Sequence, residues 1–215
     1  VLLLLAMTRL LLAASPPADH DPGVVPSLKR AAERAGLRLN VLRLALQAHA
    51  RAVAEGVTRR PLLTVIDYSL PSRVPRLWVL DLAHDSVLAR ELVAHGRKSG
   101  GDVAQYFSNQ AGSLKSSLGT YVTGSIYRGS HGLSLRLRGL DRGLNDQAEA
   151  RGIVIHGADY VAASVIPKLG RLGRSQGCPA LSPEAAERLI PLVQGGTVVY
   201  AYYPSPRLGR TLPPL

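Results

Sequence analysis

From Pro61 onward the chain stops reading like a helix. "LLTVIDYSL", "RLWVLDLA", "SVLARELVAHG", "GTYVTGSIY", "LSLRLRGL" and "GTVVYAYYP" are short apolar segments, partly alternating with polar residues and separated by turn formers. Such segments cannot keep one apolar face over several helical turns, whereas a strand needs only a period of two. The pattern predicts a β-rich domain over 61–204, mainly β with helical decoration: a sandwich or barrel of the α+β class. One Trp, one Phe and eight Tyr are the only aromatic residues, so Leu, Val, Ile and Ala must fill the core.

Helical periodicity frames this region. Ser27 is the expected cap of "LKRAAERA", with Gly36 as its stop. Asn40 is the expected cap of "NVLRLALQAHARAVAEG", in which Leu42, Leu46 and Val53 keep near-helical spacing and Gly56 ends the run. Residues 27–60 thus form an N-terminal helical segment, and His49 within it reads as structural. "SPEAAERLIPLV" is a further helix, with Ser182 as cap and Pro183 at its first position. Residues 205–215 remain as a C-terminal tail.

The first fifteen residues, "VLLLLAMTRLLLAAS", are apolar, end in small side chains and give way to a Pro-rich linker over 16–26. They read as a secretory signal, or else as a buried N-terminal helix. With Arg9 inside it, the stretch is short for a membrane span. The expectation is export to the periplasm or cell envelope, with no stable membrane span once the signal is removed.

Twenty-six Lys and Arg against fifteen Asp and Glu give a formal charge of +11. Such a surface favours polyanions, among them nucleic acid, anionic lipid and acidic cell-wall polymers. The excess is spread along the chain, and no DNA- or RNA-binding signature accompanies it. Nucleic acid is therefore not expected, and charge alone leaves the other polyanions, anionic cell-wall polymers among them, open.

The chain has a single cysteine, in "GRLGRSQGCPAL". A free thiol has a pKa of about 8.5 and needs a base, a positive neighbour or backbone N–H groups to act on a carbonyl. Gly177 allows close backbone approach, Pro179 stiffens the chain, and Arg171 and Arg174 add positive charge. Of six histidines, His156 is the best placed base, because it ends the apolar run of "RGIVIHG" and can be held rigidly there. Tyr160, four residues on, and His131 in "GSHGLSLRL" either line a cleft or pack. Asn109, Ser113 and Ser117 are weaker polar candidates, and Asn145 reads as a turn former. One cysteine and scattered histidines make no zinc set, and no phosphate-binding glycine motif is present, so no cofactor or metal is expected. On the residues alone, Cys178 is either a nucleophile or an inert thiol.

The run "RGIVIHGADYV … GRLGRSQGCPAL … GGTVVYAYY", with the block over 107–151 before it, resembles the murein L,D-transpeptidase catalytic domain family from about Leu62 to Tyr203. The resemblance implies a β-sandwich and a cysteine acyl-transfer enzyme acting on peptidoglycan stem peptides. It matches Cys178 to the nucleophile, His156 to the general base, and Gly157 to the residue whose carbonyl orients that base. Ser175, Gln176 and Gly177 match the loop leading into the nucleophile, with the N–H groups of Gly177 and Cys178 as oxyanion donors. Two positions depart from the common motif: Gln176 stands where a histidine is usual, and Ala180 where an arginine is, a contact that Arg174 or Arg171 would have to replace. The implied reaction is transpeptidation through an acyl-enzyme. An L,D-carboxypeptidase, a silent wall-binding module and, from charge alone, a polyanion binder are the alternatives.

Overall fold

The computed structural model describes residues 24–130, 132–206 and 208. The signal reading, most of the linker and the His131 candidate lie outside them.

Two helices come first, α1 (Pro26–Arg34) and α2 (Leu39–Ala54). Neither starts on the expected cap. Pro26 opens α1 without a side-chain cap, and the Ser27 hydroxyl instead donates to Asp85 at 2.5 Å. Arg38, not Asn40, precedes α2, and its guanidinium reaches across to Asp67 at 2.6 Å. The stops are as read: Gly36 adopts φ +74°, and the N–H of Leu37 returns to the carbonyl of Ala32 at 2.9 Å. The buried stripe of α2 is Val41, Leu42, Ala45, Ala48 and Ala52, while Val53 is exposed. Alanines on this face let the helix lie close to the sheet, which the larger Leu46 and Val53 would prevent.

Eight strands follow the helices: β1 (Leu62–Asp67), β2 (Leu77–Asp81), β3 (Ser86–Glu91), β4 (Gly119–Gly129), β5 (Gly132–Gly139), β6 (Val154–Gly157), β7 (Ala180–Leu181) and β8 (Val198–Tyr202). A short α3 (Ile166–Leu169) lies between β6 and β7, and α4 (Pro183–Val193) between β7 and β8. Ser182 caps α4 as expected, accepting from the N–H of Ala185 at 3.2 Å. The strands run in one hydrogen-bonded order, β3-β2-β1-β8-β4-β5-β6-β7, parallel at β1–β8 and β6–β7. The architecture is mainly β with helical decoration, as the short alternating segments require. Every residue of β1 and β8 is buried, so both central strands are covered on both faces. Helix α2 packs on them, and both leading helices share one apolar core with the sheet.

The edges of this sheet are not left open. Ala94, just past edge strand β3, bridges to Ala180 in the opposite edge strand β7, and Gly96 bridges to Ser175. The Ala94 N–H donates to the Ala180 carbonyl at 2.9 Å, and the Ser175 N–H to the His95 carbonyl at 3.0 Å. The sheet therefore curls until its two ends meet, which satisfies backbone groups that an exposed edge would present. Ile66 of β1 and Tyr68 just past it share a small void with Gly177 and Pro179. The stretch that carries the only cysteine lies along that seam.

Candidate active site

His156 is the next-to-last residue of β6, held against β5, where Val154, Ile155 and His156 pair with Arg136, Leu135 and Ser134. On its other side β6 runs parallel to β7, pairing His156 with Ala180 and Gly157 with Leu181. Cys178 lies two residues before Ala180, so the thiol enters the seam next to the strand that carries the imidazole. His156 is buried, and its Nδ1 is 2.8 Å from the carbonyl oxygen of Gly157. A carbonyl only accepts, so Nδ1 carries the hydrogen and Nε2 is the basic nitrogen of the ring.

Cys178 is half-buried, with its thiol directed at the Gly152 carbonyl, 3.8 Å away. Burial pushes the thiol above its ordinary pKa. The N–H of Val154, the positive charge of Arg151 and the cysteine's own N–H offset this in part. At neutral pH the resting sulfur is therefore a thiol rather than a thiolate.

The loop before the thiol is held from inside. Gly177 has φ +133°, and a Cβ there would come within 2.9 Å of the Lys115 carbonyl oxygen, so only glycine fits. The Ser175 hydroxyl donates to the Cys178 carbonyl at 2.6 Å and accepts from the Gly177 N–H at 3.1 Å. Ser175 is thus buried with its proton engaged inside the turn, and the Gly177 N–H is bonded within the same turn. The Gly177 carbonyl in turn accepts from the Ser116 hydroxyl at 2.9 Å.

The two arginines near the cysteine both reach backbone carbonyls. Arg174 donates to the Gly100 carbonyl at 2.7 Å, tying the cysteine loop to the loop after β3, and Arg171 donates to the carbonyl of Leu172 at 2.7 Å. Ala180 is fully buried in the bridge to Ala94, where a larger side chain would part the seam. Gln176 is exposed beside the thiol loop.

Tyr160 is half-buried in the 3-10 turn Asp159–Val161 that follows β6. It packs against the bare Cα of Gly173, whose Cβ would fall 2.3 Å from that of Tyr160. Burial, and then the charge of a Cys178 thiolate, push its phenol up to about 12. Tyr160, Gly157 and Asp159 line a cleft of about 420 Å³ with Pro183 and Glu187.

Several residues that hold the site were not singled out in the sequence. Arg151 donates to the Ser108 and Lys115 carbonyls at 2.7 and 2.6 Å and to the Ser117 and Ser113 hydroxyls at 2.5 and 3.3 Å. Arg76 is fully buried, donating to the carbonyls of Leu70 and Val93 at 2.7 and 2.9 Å and meeting Nδ1 of His95 at 2.7 Å. Burial, and next the charge of Arg76, hold His95 down to about 4. Tyr68 lies under the Arg76 guanidinium, 5.2 Å from ring centre to Cζ, and burial pushes its phenol to about 12. The available signal was weak: an arginine directly before an apolar strand, "PRLWVL", and another before "GIVIHG". Asn145 shapes its turn as read, accepting from the Asp141 N–H at 2.8 Å and donating to the Thr120 carbonyl at 2.9 Å.

Comparison with known proteins places the fold. Nothing among curated proteins matches the chain. Among solved structures it is similar to an L,D-transpeptidase from Mycobacterium smegmatis, at 16% identity and a TM-score of 0.41, covering 66% of this chain and 59% of that one. It is likewise similar to L,D-transpeptidase 3 from Mycobacterium tuberculosis in complex with a faropenem-derived adduct, at 16% identity and TM-score 0.44, covering 66% and 60%. A third is the L,D-transpeptidase of Xylanimonas cellulosilytica, at 17% identity and TM-score 0.39, covering 71% and 68%. The chain spans less than two thirds of the first two relatives' length. A family model for the L,D-transpeptidase catalytic domain matches residues 33–202, from the last turn of α1 to the end of β8. That span takes in the curled sheet, the seam and both His156 and Cys178, and the chain belongs to the L,D-transpeptidase catalytic domain family.

Proposed function

We propose that the protein is a peptidoglycan L,D-transpeptidase of the cell envelope, with Cys178 as nucleophile and His156 as general base. The observation that carries this reading is the β6–β7 register, which sets the strand bearing one buried imidazole beside the short strand that follows Cys178. Residues 61–204 supply the catalytic unit, and the helices of 27–60 brace its central strands.

Because burial keeps the thiol protonated at rest, the base acts during attack rather than on a standing thiolate. His156 Nε2 takes the proton as Sγ bonds to the carbonyl carbon between the L-centre and the terminal D-residue of a stem peptide. The tetrahedral oxygen accepts from the Cys178 N–H, a donor aimed at the charge that develops. The C–N bond then breaks, His156 returns its proton to the departing D-amino acid, and a thioester remains. An amine of a neighbouring stem attacks that thioester, its proton passes to His156, and sulfur leaves and is reprotonated. Such proton transfers contribute roughly 10²–10⁴-fold. Water in place of the amine would make the enzyme a carboxypeptidase. The exposed Gln176 and the cleft beside Tyr160 are the surfaces offered to the stems, and the charge of +11 speeds encounter with an anionic wall.

Sacculi incubated with the protein, digested and weighed by mass spectrometry test this reading. New cross-links that vanish with Cys178→Ala are expected. Trimmed stems would establish the hydrolase instead, and unchanged stems would overturn the enzyme reading.

A further inference from the structure

The motif departures leave the nucleophile without the usual positive neighbours: Gln176 is neutral and Ala180 is apolar. The site nevertheless contains a cation, and it comes from below. Arg151 begins the stretch that leads into β6, and its guanidinium is half-buried against the cysteine loop. Nη2 lies 3.3 Å from the point a Cβ on Gly177 would occupy. The next residue, Gly152, supplies the carbonyl that faces the Cys178 sulfur at 3.8 Å.

The partners of Arg151 are all neutral. Its two terminal nitrogens reach the Ser108 and Lys115 carbonyls and the Ser113 and Ser117 hydroxyls. Among the described residues no carboxylate pairs with it. Four hydrogen bonds therefore fix the guanidinium in place without neutralising it, unlike Arg51, whose charge is met by Asp141 at 2.5 Å. An uncompensated cation in a partly desolvated setting acts strongly on any negative charge formed beside it.

We infer that Arg151 is the electrostatic positioning residue of the nucleophile, its guanidinium favouring the thiolate of Cys178 from beneath the loop in place of the charged groups absent at 176 and 180. The inference rests on Cys178 being the nucleophile. Arg151 does not touch the reacting carbonyl. It acts through the sulfur, by making the negative form cheaper to reach as His156 removes the proton. Besides the proposed base His156 on neighbouring strand β6, the titratable groups that bear on Cys178 are Tyr68, just past β1, and Tyr160 in the 3-10 turn. A tyrosinate at either position would oppose the thiolate, so no other side chain in that set is a permanent cation.

The test is the pH profile of iodoacetamide alkylation of Cys178, followed by intact mass in the wild type, Arg151→Lys and Arg151→Gln, with Cys178→Ala as blank. This readout does not require turnover. Arg151→Gln should move the profile to higher pH and slow alkylation at neutral pH by at least roughly tenfold, the effect of losing one close opposite charge. Arg151→Lys, which keeps the charge and loses the fork, should restore most of that loss. An unmoved profile in Arg151→Gln, or an equal shift in both variants, overturns the inference. If Arg151→Gln does not fold, Ser113→Ala/Ser117→Ala loosens the guanidinium while keeping its charge, and an unmoved profile there is equally contrary. Failure of the nucleophile reading looks different: the wild type would then form cross-links, or none at all, independently of Cys178→Ala, whatever Arg151 does to alkylation.

Discussion

The ground beneath α2 and the ground beneath the cysteine loop are both fully buried, yet they are built from opposite materials. Under α2 the buried Leu42, Ala45, Ala48 and Ala52 join the apolar cluster of β1 and β8. Under the loop the buried residues are Arg76, Ser99, Ser116 and Ser175, each hydrogen-bonded to backbone, with His95 held on the Arg76 guanidinium. Hydrocarbon packing is non-directional and tolerates a change of shape at a graded cost. A buried polar cluster is directional: it fixes one loop conformation when satisfied and penalises every lost partner. The first region gives this protein its stability, and the second gives Cys178 its place.

The sharpest way to break the contrast is to damage each region by a similar amount and compare activities. Arg76→Leu strands the Leu70 and Val93 carbonyls and His95 Nδ1, and should cost about 3–5 kcal/mol in urea unfolding. It should also lower kcat/KM of the surviving folded protein by at least roughly tenfold, because the seam that orients the loop slackens. Leu42→Ala, in the hydrocarbon region, should cost about 3 kcal/mol and leave kcat/KM per folded molecule close to wild type. Equal activity losses in the two variants would erase the distinction.

Acid bears on the polar region through His95. His95 sits at about 4 in the folded protein against an ordinary 6.5, so between those values the unfolded chain binds the extra proton. The stability tied to its neutral form is complete above pH 6.5 and is lost as pH falls to about 4. The loss amounts to about 3 kcal/mol, and His95→Gln should flatten that part of the stability profile. The smallest effect is expected from the staple: Ser175→Ala removes two hydrogen bonds and should cost about 1–2 kcal/mol, with kcat reduced more than KM is raised.

The same contrast decides what was legible beforehand. Short apolar runs bounded by turn formers announce themselves, so β1, β2, β4, β5 and β8 were readable, and so was the histidine near the end of β6. Strand β7 has two residues and no period to detect, and the meeting of the sheet's ends depends on pairs such as Ala94 and Ala180 that lie far apart in sequence. Arginine carries an expectation of the surface, which hid Arg76 and Arg151 inside a count of charges. The caps failed for a related reason: the Ser27 and Arg38 side chains had long-range partners in Asp85 and Asp67 that no local rule can see. Cys178 and His156 stood out because their neighbours, a glycine turn and an apolar strand end, are local features.

The claim on which the mechanism depends is that one sulfur takes the acyl group with the help of one imidazole. Intact-protein mass spectrometry after exposure to a carbapenem measures this directly. The account predicts a single covalent adduct located on Cys178, absent in Cys178→Ala and formed at least roughly a hundredfold more slowly in His156→Ala. An adduct that persists without Cys178, or one that forms at the wild-type rate without His156, would contradict it.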